Sequence, residues 1–204
     1  MKNLRINVLA ILAIITISSC SKDDEVVPVI PKPVNEEEVI TTVTTVFTEV
    51  GGTNTVTLKS KDLDGDGPGA PVVTVIPPTA TFALNKIYNG VVTVLNESVT
   101  PAANISTEIL AEGVDHQFFY QKTGTLPAFN YTPVATAADN YDTNGKPIGF
   151  KATFVTGSTA ATGTLKVTLR HKGNKSAPNV VNGDITNATG ATDFAVTYTG
   201  LIVQ

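Results

Sequence analysis

Alternating side chains separated by turn residues dominate the chain from Ile40 to the C-terminus. The clearest stretch, ITTVTTVFTEVGGTNTVTLK at residues 40–59, predicts two strands around a Gly51-Gly52 turn. Threonine and valine are the commonest residues, and β-branched side chains favour pleated, half-buried surfaces. Similar patterns predict further strands at 72–76, 88–95, 114–121, 150–155, 164–171 and 194–203. About eight strands with turn signals between them predict an all-β fold, a two-layer antiparallel β-sandwich.

One stretch departs from this alternation. Ile105, Ile109 and Leu110 recur at helical spacing, Pro101 suits a first turn and Gly113 a C-cap, so residues 100–113 predict one short helix.

The N-terminus has the pattern of a secretory signal. Lys2 and Arg5 precede an apolar run from Val8 to Ile17, which is shorter than the roughly 20 residues that span a bilayer. Small residues then lead directly into Cys20. This arrangement resembles a bacterial lipobox, in which Cys20 is lipidated and becomes the mature N-terminus. The alternative is an ordinary signal peptide with an incidental cysteine.

Cys20 is the only cysteine in the chain. Intramolecular disulfides and cysteine-based zinc sites are therefore excluded. A catalytic cysteine is excluded as well, because lipidation consumes the thiol.

These features divide the chain into a lipoprotein signal peptide (1–19), a lipidated, disordered, acidic and proline-rich tether (20–38) and a β-sandwich domain (39–204). Prolines stiffen the tether and its like charges repel one another. Ser21 fits outer-membrane sorting, and residues 23–25, Asp-Asp-Glu, resemble the export signal of surface lipoproteins in Bacteroidota. The alternative is a solvated charge run. We therefore expect a lipid-anchored protein of the outer membrane, exposed on the cell surface.

Residues 61–71, KDLDGDGPGAP, suggest a calcium loop. Asp62, Asp64 and Asp66 alternate as in the first half of an EF-hand loop. The closing position holds Val73 instead of a bidentate glutamate, so a true EF-hand is excluded. A looser Ca²⁺ site remains an expectation if a second loop supplies oxygens, and the alternative is a turn whose acids cap backbone amides. The candidates for the second loop are Asp139, Asp142, Asn144, Asp184 and Asp193.

A second group of residues suggests a transition-metal site, with Zn²⁺ as the weaker of the two metal hypotheses. Glu108 and Glu112 are one helical turn apart, and Asp115 precedes His116. His171 is the other histidine of the chain, and both histidines fall on the apolar side of their predicted strands. The alternative is a solvated helix face with two hydrogen-bonded, partly buried histidines.

Other functional classes lack support in the sequence. The net charge is −4 at pH 7, and Arg170 is the one arginine after the signal peptide, which argues against nucleic-acid binding. No Gly-x-Ser-x-Gly, His-Glu-x-x-His or phosphate-loop motif occurs. We therefore expect a non-enzymatic protein.

Four segments carry a resemblance to a known group: the acid-rich loop, VDHQFFY, TLRHKGNKSAPNV and GDITNATGATDFAVTY. Together they resemble small lipoproteins of Flavobacteria and relatives, described as a "type 1 periplasmic binding fold superfamily" and often found beside TonB-dependent receptors. The resemblance covers most of the chain from about Val39 onward. That description implies paired α/β lobes, whereas the residues themselves predict an all-β domain.

The resemblance implies an accessory lipoprotein that captures a ligand, metal-related or otherwise, for a TonB-dependent uptake system. Its partners would be the membrane, through the lipid anchor, and the receptor. The alternative function is a structural or adhesive surface β-domain stabilised by calcium.

Overall fold

The computed structural model of the protein describes residues 38–64 and 71–204. The signal peptide, Cys20, the tether before residue 38 and Asp66 lie outside these residues. The strands, numbered along the chain, are β1 (Thr42–Glu49), β2 (Thr55–Lys61), β3 (Val72–Ile76), β4 (Ala80–Phe82), β5 (Ile87–Asn96), β6 (Ala103–Asn104), β7 (His116–Lys122), β8 (Phe129–Tyr131), β9 (Lys151–Val155), β10 (Ala161–His171) and β11 (Ala191–Val203).

These strands form two sheets. The first sheet has the order β3-β2-β1-β5-β9-β8, with β6 also paired to β5. The second sheet has the order β4-β11-β10-β7. All pairings are antiparallel except that of β4 with β11, which is parallel. The carboxyl-terminal strand β11 therefore lies inside the second sheet and is held on both sides.

Aromatic side chains from both sheets meet in the core. Phe82 of the second sheet lies edge-on to Phe47 of the first, with ring centroids 5.7 Å apart. Its centroid is 4.8 Å from that of Phe154, also in the first sheet. The alternation predicted from sequence appears directly in β5, where buried and exposed residues alternate from Ile87 to Val94. The predicted all-β sandwich is thus confirmed.

All eight predicted strands are present, and three further strands were not predicted. These are β4, β6 and β8, which are only two or three residues long. A segment of that length contains too few side chains to display an alternating pattern. The sequence could therefore show the long strands but not the short ones that extend the sheets.

The predicted helix is also present, but as α1 (Ile105–Ala111) it is shorter than the predicted 100–113, because residues 103 and 104 belong to β6. Ile105 and Ile109 are buried. The chain then enters β7 at His116, so the end of α1 lies just ahead of the second sheet. Within the described residues, no helix has the length and apolar character needed to cross a membrane.

Candidate metal centre

The two histidines lie side by side at one end of the second sheet. β7 begins at His116 and β10 ends at His171, and the antiparallel register places these residues directly opposite each other. Their rings are stacked, with centroids 4.5 Å apart and planes 9° from parallel. Both are buried and share a sheet face with core residues such as Phe118 and Leu169. Alternation correctly predicted this apolar face but gave no indication that the rings touch.

A β-bulge brings Asp193 to the same place. Leu169 pairs with Phe194, but the next residue, Arg170, pairs with Thr192. Asp193 is therefore the extra residue of β11, and a bulge of this kind redirects the side chain it contains. The Asp193 side chain is only 2% exposed.

Strict alternation would have placed Asp193 on the outer face. Val196 and Tyr198 are buried while Ala195 and Thr197 are exposed. Continuing that period backwards puts residue 193 among the exposed positions. The bulge reverses this at one residue, and the sequence contains no pattern that specifies it.

Glu38 is the fourth member of the cluster and comes from a different part of the chain. It lies ahead of β1, which belongs to the first sheet. Its Oε1 atom is 3.3 Å from Nε2 of His116, and its side chain is 5% exposed. In the sequence it is the last residue of the predicted tether, and nothing there distinguishes it from Glu36 and Glu37.

The cluster comprises two imidazoles and two carboxylates. One ligand atom from each of the four side chains lies within 4.8 Å of the others. Nε2 of His116 is also 3.6 Å from Oδ2 of Asp193, and Nδ1 of His171 is 3.8 Å from Oδ1 of Asp193. In a tetrahedral zinc site with bonds of about 2.0–2.1 Å, ligand atoms are about 3.4 Å apart. The observed spacing therefore requires only a small contraction to surround one ion.

The backbone at the end of α1 orients His116. Its Nδ1 lies 3.2 Å from the carbonyl oxygen of Glu112. A carbonyl oxygen can only accept, so Nδ1 is the donor, and the tautomer with its proton on Nδ1 has its lone pair on Nε2. Nε2 makes no hydrogen bond to the described residues and points towards the two carboxylates. Such a contact to the second ring nitrogen is the usual outer support of a metal-binding histidine.

The charge of the cluster also favours a cation. The carboxylates of Glu38 and Asp193 lie buried beside the two imidazoles, and a buried carboxylate is costly unless a cation or hydrogen-bond donors balance it. Oε2 of Glu38 is buried and has no hydrogen-bond donor among the described residues. A divalent ion would balance the charge of the Glu38 and Asp193 carboxylates and bind their oxygens. Because an imidazole binds a metal in its own ring plane, the stacked rings must each tilt to share the ion.

The structure does not bring the other predicted transition-metal ligands into this cluster. Glu108 is exposed on α1. Asp115 is half-buried and, together with Lys175, lines a separate small cavity. Glu112 contributes its backbone carbonyl to His116, as described above. The two histidines of the predicted site therefore lie together, whereas Glu108, Glu112 and Asp115, chosen because they are near His116 in sequence, lie outside the cluster.

Among the described residues, the acids of the predicted calcium site form no group placed to hold a metal ion, apart from Asp193 in the cluster above. Asp62 directly follows β2 and its N–H donates to the carbonyl of Thr41, and Asp64 is exposed in the loop that follows. Among the second-loop candidates, Asp139 pairs with Lys151, and the Asp184 side chain accepts from the N–H of Thr186. The side chains of Asp139 and Asp184 are thus engaged within the described chain, and the calcium site stays a prediction.

Asp142 has a structural role. Its Oδ1 accepts from the N–H groups of Asn144 and Lys146, and its Oδ2 lies 3.0 Å from Nζ of Lys175. Partial burial acts to raise the pKa of Asp142, but these hydrogen bonds and the Lys175 charge together hold the pKa below its ordinary value. Burial lowers the pKa of Lys175, although Asp142 partly offsets this. The pair joins the Asp142 turn to the loop after β10.

Among the described residues, Glu38, His116, His171 and Asp193 form the one group of three or more such side chains placed to hold a metal ion. Comparison of the whole chain with protein-family models, with curated proteins and with solved structures finds no match in any of the three.

Proposed function

We propose that this domain binds one divalent transition-metal ion, with zinc the best fit, through Glu38, His116, His171 and Asp193. The observation that carries the proposal is that four buried side chains from four chain segments bring one ligand atom each within 4.8 Å of the others. Imidazole nitrogen with carboxylate oxygen is a ligand set typical of zinc.

The ligand count supports binding without catalysis. Catalytic zinc sites keep one position for water or substrate, whereas four protein ligands complete a tetrahedral shell. The four side chains are at most 5% exposed, so bulk water has little access to the ion. The protein would therefore hold the metal as cargo or as a structural element.

The lipobox-like N-terminus supports a location for this activity. A lipidated Cys20 followed by a stiff, acidic tether would hold the domain at the outer membrane, on the cell surface. There it would capture metal, free or in a complex, and deliver it to a TonB-dependent receptor. This part of the proposal rests on the N-terminal sequence and on the resemblance described above.

Zinc titration of the metal-free mature chain tests the binding proposal. A stoichiometry of one and a rise in melting temperature are expected, because a ligand at about 100 times its Kd stabilises the native state by about 2.7 kcal/mol. His171→Ala should abolish both effects. Glu108→Gln, a change in an exposed carboxylate of α1, is the control and should behave as wild type. Equal zinc binding by wild type and His171→Ala would refute this site.

A further inference from the structure

The four ligands of the metal centre differ in how firmly the backbone holds them. His116, His171 and Asp193 lie on β7, β10 and β11, which are adjacent strands of one sheet. The central strand, β10, is paired on both sides, and His171 is itself paired with His116 on one side and Ala191 on the other. The sheet therefore fixes the backbone of the two histidines, and the paired residues on either side of the bulge fix that of Asp193.

The backbone around Glu38 is held less firmly than that of the other three residues. Residues 38–40 belong to no helix or strand. The first backbone hydrogen bond of this segment within the described residues is that of the Thr41 N–H to the carbonyl of Leu95. Ile40 packs on the core, whereas Val39 is 57% exposed. Withdrawing the Glu38 carboxylate therefore disturbs only the short segment ahead of β1.

The remaining three ligands would still form a site. Two imidazoles and one carboxylate with an open fourth position is the arrangement of zinc sites that exchange a ligand. A receptor side chain, a chelator or water could occupy that position once Glu38 leaves. The burial of all four ligands leaves displacement of Glu38 as the change that needs the least rearrangement of the sheets.

We infer that Glu38 is the closing ligand of this centre: it completes the shell when the ion is held, and its withdrawal opens the route by which the ion leaves. This inference rests on the proposed metal function. Since Glu38 precedes β1 of the first sheet while the other ligands belong to the second, the bound ion also links the two layers. Metal occupancy is thereby coupled to the docking of the segment that leads towards the predicted membrane anchor.

Metal release provides the first test. The mature chain and its Glu38→Gln variant are loaded with zinc and mixed with excess chromophoric chelator. Loss of a supporting residue around a metal ligand costs about 10–100-fold in affinity, so loss of Glu38 itself should speed release by at least about tenfold. Glu38→Gln should retain measurable zinc binding, and Asp193→Asn should bind more weakly than Glu38→Gln. Glu37→Gln, the same change one residue earlier, is the matched control and should release zinc at the wild-type rate.

Amide hydrogen exchange provides the second test. Zinc should slow exchange at residues 39–41 in wild type and in Glu37→Gln. In Glu38→Gln it should leave that segment unchanged while still protecting the start of β7.

The outcomes separate this inference from the proposed function. If wild type binds no zinc, both proposals fail. If wild type binds zinc through His171 but Glu38→Gln releases it at the wild-type rate, the inference is wrong and the proposed function stands. Loss of zinc binding in Glu38→Gln as complete as in His171→Ala also overturns the inference, because Glu38 would then be indispensable to the site.

Discussion

His116 and His171 face each other across the β7–β10 pair, with their rings stacked at the end of the second sheet. This relationship places two ring nitrogens side by side on paired strands. The carboxylates then approach from one side, with Asp193 brought in by a bulge and Glu38 by the segment before β1. The cluster thus combines three side chains from adjacent strands of the second sheet with one, Glu38, from the segment before β1.

The first prediction concerns the stability of the metal-free protein. The ligand oxygens of Glu38 and Asp193 lie within 4.8 Å of each other, so two like charges share a buried site. Asp193→Asn removes one charge and keeps the shape of the side chain. It should raise the free energy of unfolding of the metal-free protein by on the order of 1 kcal/mol, as measured by urea denaturation near pH 8.

With zinc bound, wild type should be more stable than Asp193→Asn, the opposite of the order expected without metal. Wild type gains stability from bound zinc, whereas Asp193→Asn should gain little. Asp139→Asn is the control, because Asp139 is 63% exposed in its pair with Lys151. A metal-free Asp193→Asn protein less stable than wild type would contradict the electrostatic argument.

The second prediction concerns the buried Asp142–Lys175 pair. Both side chains are at most 6% exposed, and Asp142→Asn leaves the Lys175 charge without its carboxylate. Removing one partner of such a pair should cost about 3 kcal/mol of unfolding free energy at pH 7. Asp139→Asn should change it by less than about 1 kcal/mol, since exposed pairs contribute little.

The pH dependence of this effect follows from the lowered pKa of Asp142. A carboxyl whose pKa is lower in the folded state stabilises the fold above its unfolded pKa, which is about 3.9. That contribution disappears as the pH falls through the folded value. The difference between wild type and Asp142→Asn should therefore shrink below about pH 4. A difference that stayed constant down to acid unfolding would show that the charge plays no part.

The sequence predicted the features that follow from the alternation of side chains along a strand. Phe118 and Leu169 were expected on the same faces as the two histidines, and both are in the core. The contact between the histidines depends instead on the register of β7 against β10, which are separated by the long segment 123–160. Register over such a distance is fixed by packing of the whole sheet, so one sequence could not show it.

The carboxylates were harder to predict for two separate reasons. Asp193 joins the cluster through a bulge, which breaks the period from which its face would be inferred. Glu38 is one of three consecutive glutamates, and only the path of the chain into β1 selects it. Glu108 and Glu112 were plausible from helical spacing, but α1 presents Glu108 to solvent.

A third prediction tests the packing between β1 and β5. Gly90 lies opposite Phe47, and a Cβ atom at Gly90 would come within 2.5 Å of the Phe47 ring. The ring is fully buried and contacts Phe82 and Phe154, so it cannot move aside without displacing them. Gly90→Ala should therefore lower the unfolding free energy by about 1–3 kcal/mol.

Gly157→Ala is the matched control for this change. A Cβ atom at Gly157 meets nothing within 4 Å, so urea denaturation should give nearly the wild-type midpoint. Equal midpoints for both variants would show that the core accommodates the added methyl group.

A fourth prediction tests the membrane anchor. If Cys20 carries the lipid, Cys20→Ala should move the protein from the detergent phase to the aqueous phase on temperature-induced phase separation, because stable anchoring depends on the acyl chains. Replacing residues 23–25 with alanine should leave the anchor intact. It should also reduce digestion of the protein by protease added to whole cells, since these acids are the predicted export signal. Wild type that is fully protected in intact cells would contradict surface exposure.

A final prediction distinguishes the two metal hypotheses. The cluster offers two nitrogen ligands, whereas calcium binds six to eight oxygens. Zinc should therefore raise the melting temperature of the metal-free protein, and calcium at equal concentration should not.

Cobalt(II) should occupy the zinc site and give the strong visible absorption of tetrahedral coordination, which His116→Ala should abolish. Asp64→Ala should leave both metal responses unchanged, because Asp64 is outside the cluster. A calcium-dependent rise in melting temperature that Asp64→Ala removes would instead support a calcium-stabilised surface domain.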